Sequence, residues 1–288
     1  MTGLSNWELP ELPTGQIIAG NYVRYLRDNL GLRNADVCGL AGLSHTSMSR
    51  TESGARPLSQ EEAETLLAGP YQVPESGRRG FARFLSETAC AVKHREMLPL
   101  AMAVDHTTGW PDRLAALEHR ATKACVYAQR LVPAFLRTPG YSTRIIDQPD
   151  PIDLQITRPA AIGTRTTVVL EESVLMRLLG APHLFAEQMT YLIGAVAEQL
   201  ITVRVLPLDS AVHGEFPEHL AEFLLPNGAK VYAAESDHAT YYSGLTAERR
   251  MGGFLARVTE ASLSQDESLK RLRLARDKAL GGDRLRLP

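Results

Sequence analysis

The chain has 288 residues, 44% of them hydrophobic, enough to bury one or two cores. Its 31 basic and 33 acidic residues leave a net charge of −2, which excludes both a globally basic nucleic-acid binder and a strongly acidic disordered chain. The cysteines Cys38, Cys90 and Cys125 are scattered, so neither a disulfide framework nor a zinc spacing follows, and a reducing, cytoplasmic setting is expected. The N-terminal stretch lacks a basic region followed by an apolar one, and no apolar run approaches the roughly 20 residues of a membrane span, so no membrane association is expected.

In chain order, Gln16 to Leu30 is predicted as an amphipathic helix, with Ala19, Tyr22, Val23, Leu26 and Leu30 at three- and four-residue spacings. Gly31 to Pro57 then reads as a helix-turn-helix. Its first helix is predicted over Asn34 to Ala41, with Gly42 supplying the positive φ of a tight turn and Leu43 packing between the helices. Ser44 is a good N-cap for a second helix from His45 to about Ser53; Gly54 ends it and Pro57 prevents its resumption. Val37, Cys38 and Met48 are expected in the core. Ser59 starts another helix through Ala68, with Glu62 completing a capping box. Gly69-Pro70 and Val73-Pro74 close this first domain, placed at residues 12–74.

Residues 75–110 are predicted as a linker. A helix over Arg78 to His94 carries Phe81, Phe84, Leu85 and Ala89 on one face and is read as packing on a partner copy, its basic face extending to Arg95. Met97 to Trp110 is read as an irregular apolar connection. From 111 to 281 the pattern is that of an α/β domain. Strands are predicted at Thr122–Val132, Arg165–Leu170, Ile201–Leu206, Leu220–Leu225 and Lys230–Ala234, the last two joined by the turn Pro226-Asn227-Gly228. Helices are predicted within Pro133–Asp147, from Ser173, over Pro182–Gln199, over Ala247–Ala261 and over Ser264–Leu280. Strand, long helix and strand make a βαβ unit, so the expected fold class is α + α/β: an N-terminal all-α helix-turn-helix domain followed by a mixed-sheet α/β domain.

The first quarter resembles the XRE-type, phage-repressor-like helix-turn-helix family. That resemblance implies a structural ion pair between Arg27, near the end of the first helix, and Glu52, near the end of the recognition helix. The second half resembles the C-terminal domain of unknown function found in WhiJ-like actinobacterial regulators. The residues that carry this are Glu118 and Ala121, Leu131 to Thr138 with Tyr141, Val169 to Glu172 with Leu175 and Gly180, Gln188 with Leu192, and Val203 to Pro207. The chain departs from that pattern at Ala134 and Arg137, where relatives usually have Gly and Gln. It departs again over Gln148–Gly163, Pro-interrupted where relatives carry an Arg-rich helix. The resemblance implies a regulator often encoded beside a small acidic partner protein.

A helix seated in the major groove reads bases with its N-terminal side chains. These are His45, Thr46, Ser49 and Arg50, of which Arg50 has the fork that matches guanine. Asn34, Ser44, Ser47 and Arg56 are better suited to phosphates; relatives usually have Gln where this chain has Asn34. From Gly15 to Gln60 five arginines stand against three carboxylates, so one copy neutralises few phosphates and a homodimer on double-stranded DNA is expected.

No phosphate-binding loop, nucleophile elbow or metalloprotease motif is present, and no catalytic residue, metal or cofactor is assigned. The cluster from His213 to His219 reads as a solvated loop, Glu171 and Glu172 as helix-start charges, and Tyr241, Tyr242 and Trp110 as core. Arg137 and Arg204 read as solvated, with anion binding as the sharper reading. The expected function is a sequence-specific transcriptional regulator whose C-terminal domain receives a protein or small-molecule signal. Two other readings stay open: a ligand-binding or enzymatic α/β domain carrying a vestigial helix-turn-helix, and an antitoxin-like protein that sequesters a small partner.

Overall fold

The computed structural model describes residues 12–93, 101–145, 165–178, 181–212 and 219–283. Arg95, the Gln148–Gly163 segment and the cluster from His213 to Glu218 lie outside these residues. The N-terminal helices are α1 (Thr14–Asn29), α2 (Asn34–Cys38), α3 (His45–Glu52), α4 (Gln60–Ala68) and α5 (Glu75–Lys93). The apolar stripe of α1 is the reason it is buried on one side: Ile18 and Val23 have no exposed surface, while Arg24 and Asp28 on the other side are exposed.

The first helix of the motif is shorter than its predicted span to Ala41. Gly39 is an unfavourable helix interior residue, by about 1 kcal/mol against Ala. Beyond Cys38 the regular helical hydrogen bonding gives way to a turn although Gly39 keeps helical angles: Leu43 N–H returns to the Cys38 carbonyl (2.8 Å), and the backbone leaves the helical region at Gly42, φ +65°. The Ser59–Glu62 capping box at the start of α4 forms in both directions, at 3.1 and 3.0 Å.

Residues 75–110 are not a free linker. Phe81 and Phe84 of α5 are fully buried within their own chain, and α5 packs on α4, α1 and the next strand. That strand, β1 (Ala101–Asp105), lies in the stretch read as irregular. It gains its strand geometry from a distant partner, β7 (Ala239–Ser243), along Ala101↔Ser243 to Asp105↔Ala239.

The remaining elements are α6 (Trp110–Arg120), β2 (Lys123–Ala128), α7 (Pro139–Ile145) after a 3-10 turn at Ala134–Leu136, β3 (Thr166–Glu171), α8 (Glu172–Met176), α9 (Pro182–Ala197), β4 (Ile201–Leu206), β5 (His219–Leu224) and β6 (Lys230–Glu235). After β7 come α10 (Leu245–Ala247), a π-helical turn (Glu248–Gly252), α11 (Gly253–Ala261) and α12 (Gln265–Asp283). The sheet order is β1-β7-β6-β5-β2-β3-β4, with β2, β3 and β4 parallel and the other pairs antiparallel. Alternate strand residues point to opposite faces. Val126, Val168, Val203 and Phe223 join one core, which is continuous with Ile18, Val37 and Met48 of the N-terminal helices. Tyr127, Val169, Leu206, Leu220 and Tyr232 join a smaller core under α10, the π turn and α11.

Candidate nucleic-acid interface

The second motif helix, α3, is held at both ends and on one face. At its start Ser44 has extended backbone (φ −75°, ψ 159°), and its Oγ accepts the Ser47 N–H at 3.1 Å. At its end Gly54 takes φ +79°, and a Cβ there would lie 2.8 Å from the Ile17 Cα. Met48, Thr51 and Glu52 are buried, so the opposite side, carrying His45, Thr46, Ser49 and Arg50, is exposed.

Beneath α3, Arg27 Nε donates to Glu52 Oε1 at 2.6 Å and Arg27 Nη2 donates to Glu52 Oε2 at 3.0 Å. The remaining Nη1 donates to the Leu32 carbonyl at 2.8 Å, closing the end of α1. The hydrogen bonding of the Arg27 guanidinium to Glu52 is the largest cause of its raised pKa. This bidentate pair fixes the rotation of α3 against α1.

The candidate contacts differ in what they already hold. Arg50 forms no ion pair among the described residues. Ser44 Oγ donates to Ser47 Oγ at 3.0 Å, so these two hydroxyls are partly spent on each other. Arg56 is drawn inward: its guanidinium donates to Glu62 Oε1 (2.5 Å), Glu62 Oε2 (3.1 Å) and Thr51 Oγ1 (3.0 Å), stapling the end of α3 to the start of α4. The Arg56 side chain holds the Glu62 carboxyl below the usual carboxylate range. Asn34 is half-buried, and its Oδ1 is buried without a hydrogen-bond partner. Arg33, absent from the candidate contacts, is the most exposed cation beside α2 and is bound to Asp36 at 2.9 Å. Its place just before a helix start was the available signal.

A family model described as a helix-turn-helix domain matches residues 18–80, from α1 into α5. Another, described as a domain of unknown function (DUF5753), matches residues 111–274, more than half of the chain. The chain belongs to the DUF5753 family. No curated protein and no solved structure matches it. The DUF5753 match runs from α6 into α12 and leaves β1 outside, although β1 completes the sheet of that domain.

The residues singled out for chemistry in the DUF5753 half are tied into the fold. Arg204 donates to the backbone carbonyls of Leu263 (3.0 Å) and Ser262 (2.9 Å), and Arg137 to that of Val132 (2.7 Å). Glu171 accepts from the Tyr127 hydroxyl, while Glu172 is bound to Arg271 at 2.9 Å. Among the described residues no group of three or more His, Cys, Asp or Glu is placed to hold a metal ion, and no helix is long and apolar enough to cross a membrane.

Proposed function

We propose that this protein is a sequence-specific, DNA-binding transcriptional regulator of the XRE type, a WhiJ-like actinobacterial protein working in the cytoplasm as a homodimer. The observation that carries this reading is the exposed N-terminal face of α3, carrying His45, Thr46, Ser49 and Arg50, on a helix whose other face is locked by Met48, Glu52 and the Ser44 cap. The match to a helix-turn-helix domain supports the same reading. In it, residues 12–74 read double-stranded DNA, with Asn34, Ser44 and Ser47 toward phosphates, and 111–281 receive the signal of a small molecule or a small acidic partner protein. Arg56 serves α3 through Glu62 more than it serves the DNA backbone. Two copies are required because one offers a single recognition helix and little surplus positive charge.

Footprinting on the DNA upstream of the protein's own gene, with single-base variants of the protected site, tests the reading. The expected footprint is an inverted repeat with half-sites about one helical turn apart. Arg50→Ala should lose discrimination at one base pair per half-site, by roughly 1–3 kcal/mol. Asn34→Ala should weaken all sequences about equally. An Arg50→Ala protein with an unchanged base preference would sink the assignment of α3.

A further inference from the structure

The smaller face of the sheet carries a row of polar residues where a helix-covered sheet is ordinarily apolar. The strand register aligns Thr202, Thr167, Cys125, Glu222, Tyr232 and Tyr242 across six neighbouring strands. One step along the strands the same face is apolar, with Tyr127, Val169 and Leu220 buried under α11. Polar side chains under a helix layer are costly unless they find partners. Here the cover closes over Tyr232 but not over Cys125, Thr167 and Glu222: beside them the π turn and α11 leave a cleft of about 620 Å³, a size usual for small-molecule sites. π-helical turns recur at functional sites. This one brings Gly252 so close that a Cβ there would lie 2.7 Å from the Tyr232 hydroxyl.

We propose that this cleft binds a small zwitterion, an amino acid or short peptide with a free ammonium and a free carboxylate. The charges around the cleft specify this class. Lys123, Arg204 and Lys230 line it together with Glu222, Glu248 and Glu260, three of each sign. Some are already engaged: Lys230 with Glu248, Arg204 with backbone carbonyls, and Glu222 as acceptor of the Tyr232 hydroxyl at 2.8 Å. Lys123 and Glu260 are exposed and form no ion pair among the described residues. A phosphate or dicarboxylate would meet three carboxylates, and a polyamine three cations. A ligand with one charge of each sign satisfies Lys123 with its carboxylate, and Glu260 or the open lone pairs of Glu222 with its ammonium.

The cleft also has a route to α3. Glu222 and Lys230 stand on the two strands of the β5–β6 hairpin, whose turn residues Pro226 and Asn227 line a small pocket together with Asn21 of α1 and Glu52 and Ser53 at the end of α3. A ligand that draws on Glu222 or Lys230 therefore acts on a hairpin whose tip borders the same small pocket as the end of the recognition helix. This coupling rests on the regulatory reading above; the binding site does not.

Calorimetric titration of the full chain with the common L-amino acids and glycylglycine, with butylamine and butyrate as singly charged controls, tests the site without DNA. At least one zwitterion should bind with one-to-one stoichiometry, and the controls about tenfold more weakly or worse. Lys123→Gln and Glu260→Gln lie on the exposed rim and should leave the melting temperature unchanged while weakening that binding about tenfold each. Absence of binding across the zwitterions, equal binding of a singly charged control, or unchanged binding by both variants would overturn the site. A bound zwitterion that leaves DNA affinity unchanged overturns the coupling. A chain that binds the zwitterion but protects no DNA overturns the regulatory reading and leaves the site standing.

Discussion

Three donors of one guanidinium decide how α3 is presented. Arg27 is nearly buried, and Glu52, with 2% of its side chain exposed, sits deeper still. Two charges taken this far from water hold their place chiefly through each other, Asp28 at 3.2 Å being a further, exposed partner of Arg27. Arg24, also within 3.8 Å of Glu52 but 44% exposed, gives a solvent-screened contact worth little by comparison. Arg27→Met or Glu52→Gln alone should thus cost about 3–5 kcal/mol by stranding the partner, whereas the double variant should cost less than the sum. Urea unfolding of the full chain across a double-mutant cycle measures this. A coupling energy near zero would show that the pair is ornamental to the fold, and that the Ser44 cap and Gly54 alone set α3.

At the scale of elements, the crossing of α1 and α3 depends on a missing side chain. A Cβ on Gly20 would lie 2.1 Å from the Thr51 carbonyl oxygen, which is backbone and cannot swing away. Gly20→Ala should force the two helices apart and destabilise the chain by at least about 1–3 kcal/mol, the usual range for overpacking. Gly39 is the control: its backbone is already helical (φ −65°, ψ −31°) and open space surrounds it. Gly39→Ala should stabilise by about 0.4–1 kcal/mol. Thermal melts of the two variants should move in opposite directions; a shift of the same sign in both would contradict the close approach. These N-terminal elements were legible because caps, turns and spacings act within a few residues of each other. Ser44, Gly54, Ser59 and Glu62 each state a local rule. β1 and β7 state none: AMAVD and ATYYS are too short for a pattern, and what makes them strands is the pairing of Ala103 with Tyr241 across the chain. The polar row of the cleft was hidden for the same reason. Thr167, Cys125 and Glu222 belong to separate strands, and only the register of the sheet makes them neighbours.

For the whole molecule, the decisive feature is a buried ion pair where the two matched domains meet. Arg113 of α6 donates to Asp105 of β1 at 2.5 and 3.0 Å, and both side chains are essentially fully buried. The guanidinium carbon lies 5.8 Å from the ring centroid of Tyr22, 5.9 Å from Phe81 and 5.1 Å from Phe84, so one cation gathers α1, α5, α6 and β1. Around it, Thr14 and Ser243 share a hydrogen bond of 2.7 Å, and Arg120 donates to Asn21 at 2.9 Å. A helix-turn-helix carried on a flexible tether would have no such contacts. The two halves should instead unfold as one cooperative unit, with the position of α3 fixed relative to the sheet. Asp105→Asn keeps the shape but removes the charge, leaving Arg113 buried and uncompensated, at a cost of about 3–5 kcal/mol out of a typical total of 5–15. Hydrogen exchange followed by mass spectrometry on α1 and on β4, in the parent and in Asp105→Asn, is the measurement. Both elements should open with the same free energy in the parent, and both should lose protection by the same amount in the variant. If α1 lost protection while β4 kept it, the helix-turn-helix would be an independent unit, and a signal arising in the cleft would have no rigid path to the recognition helix.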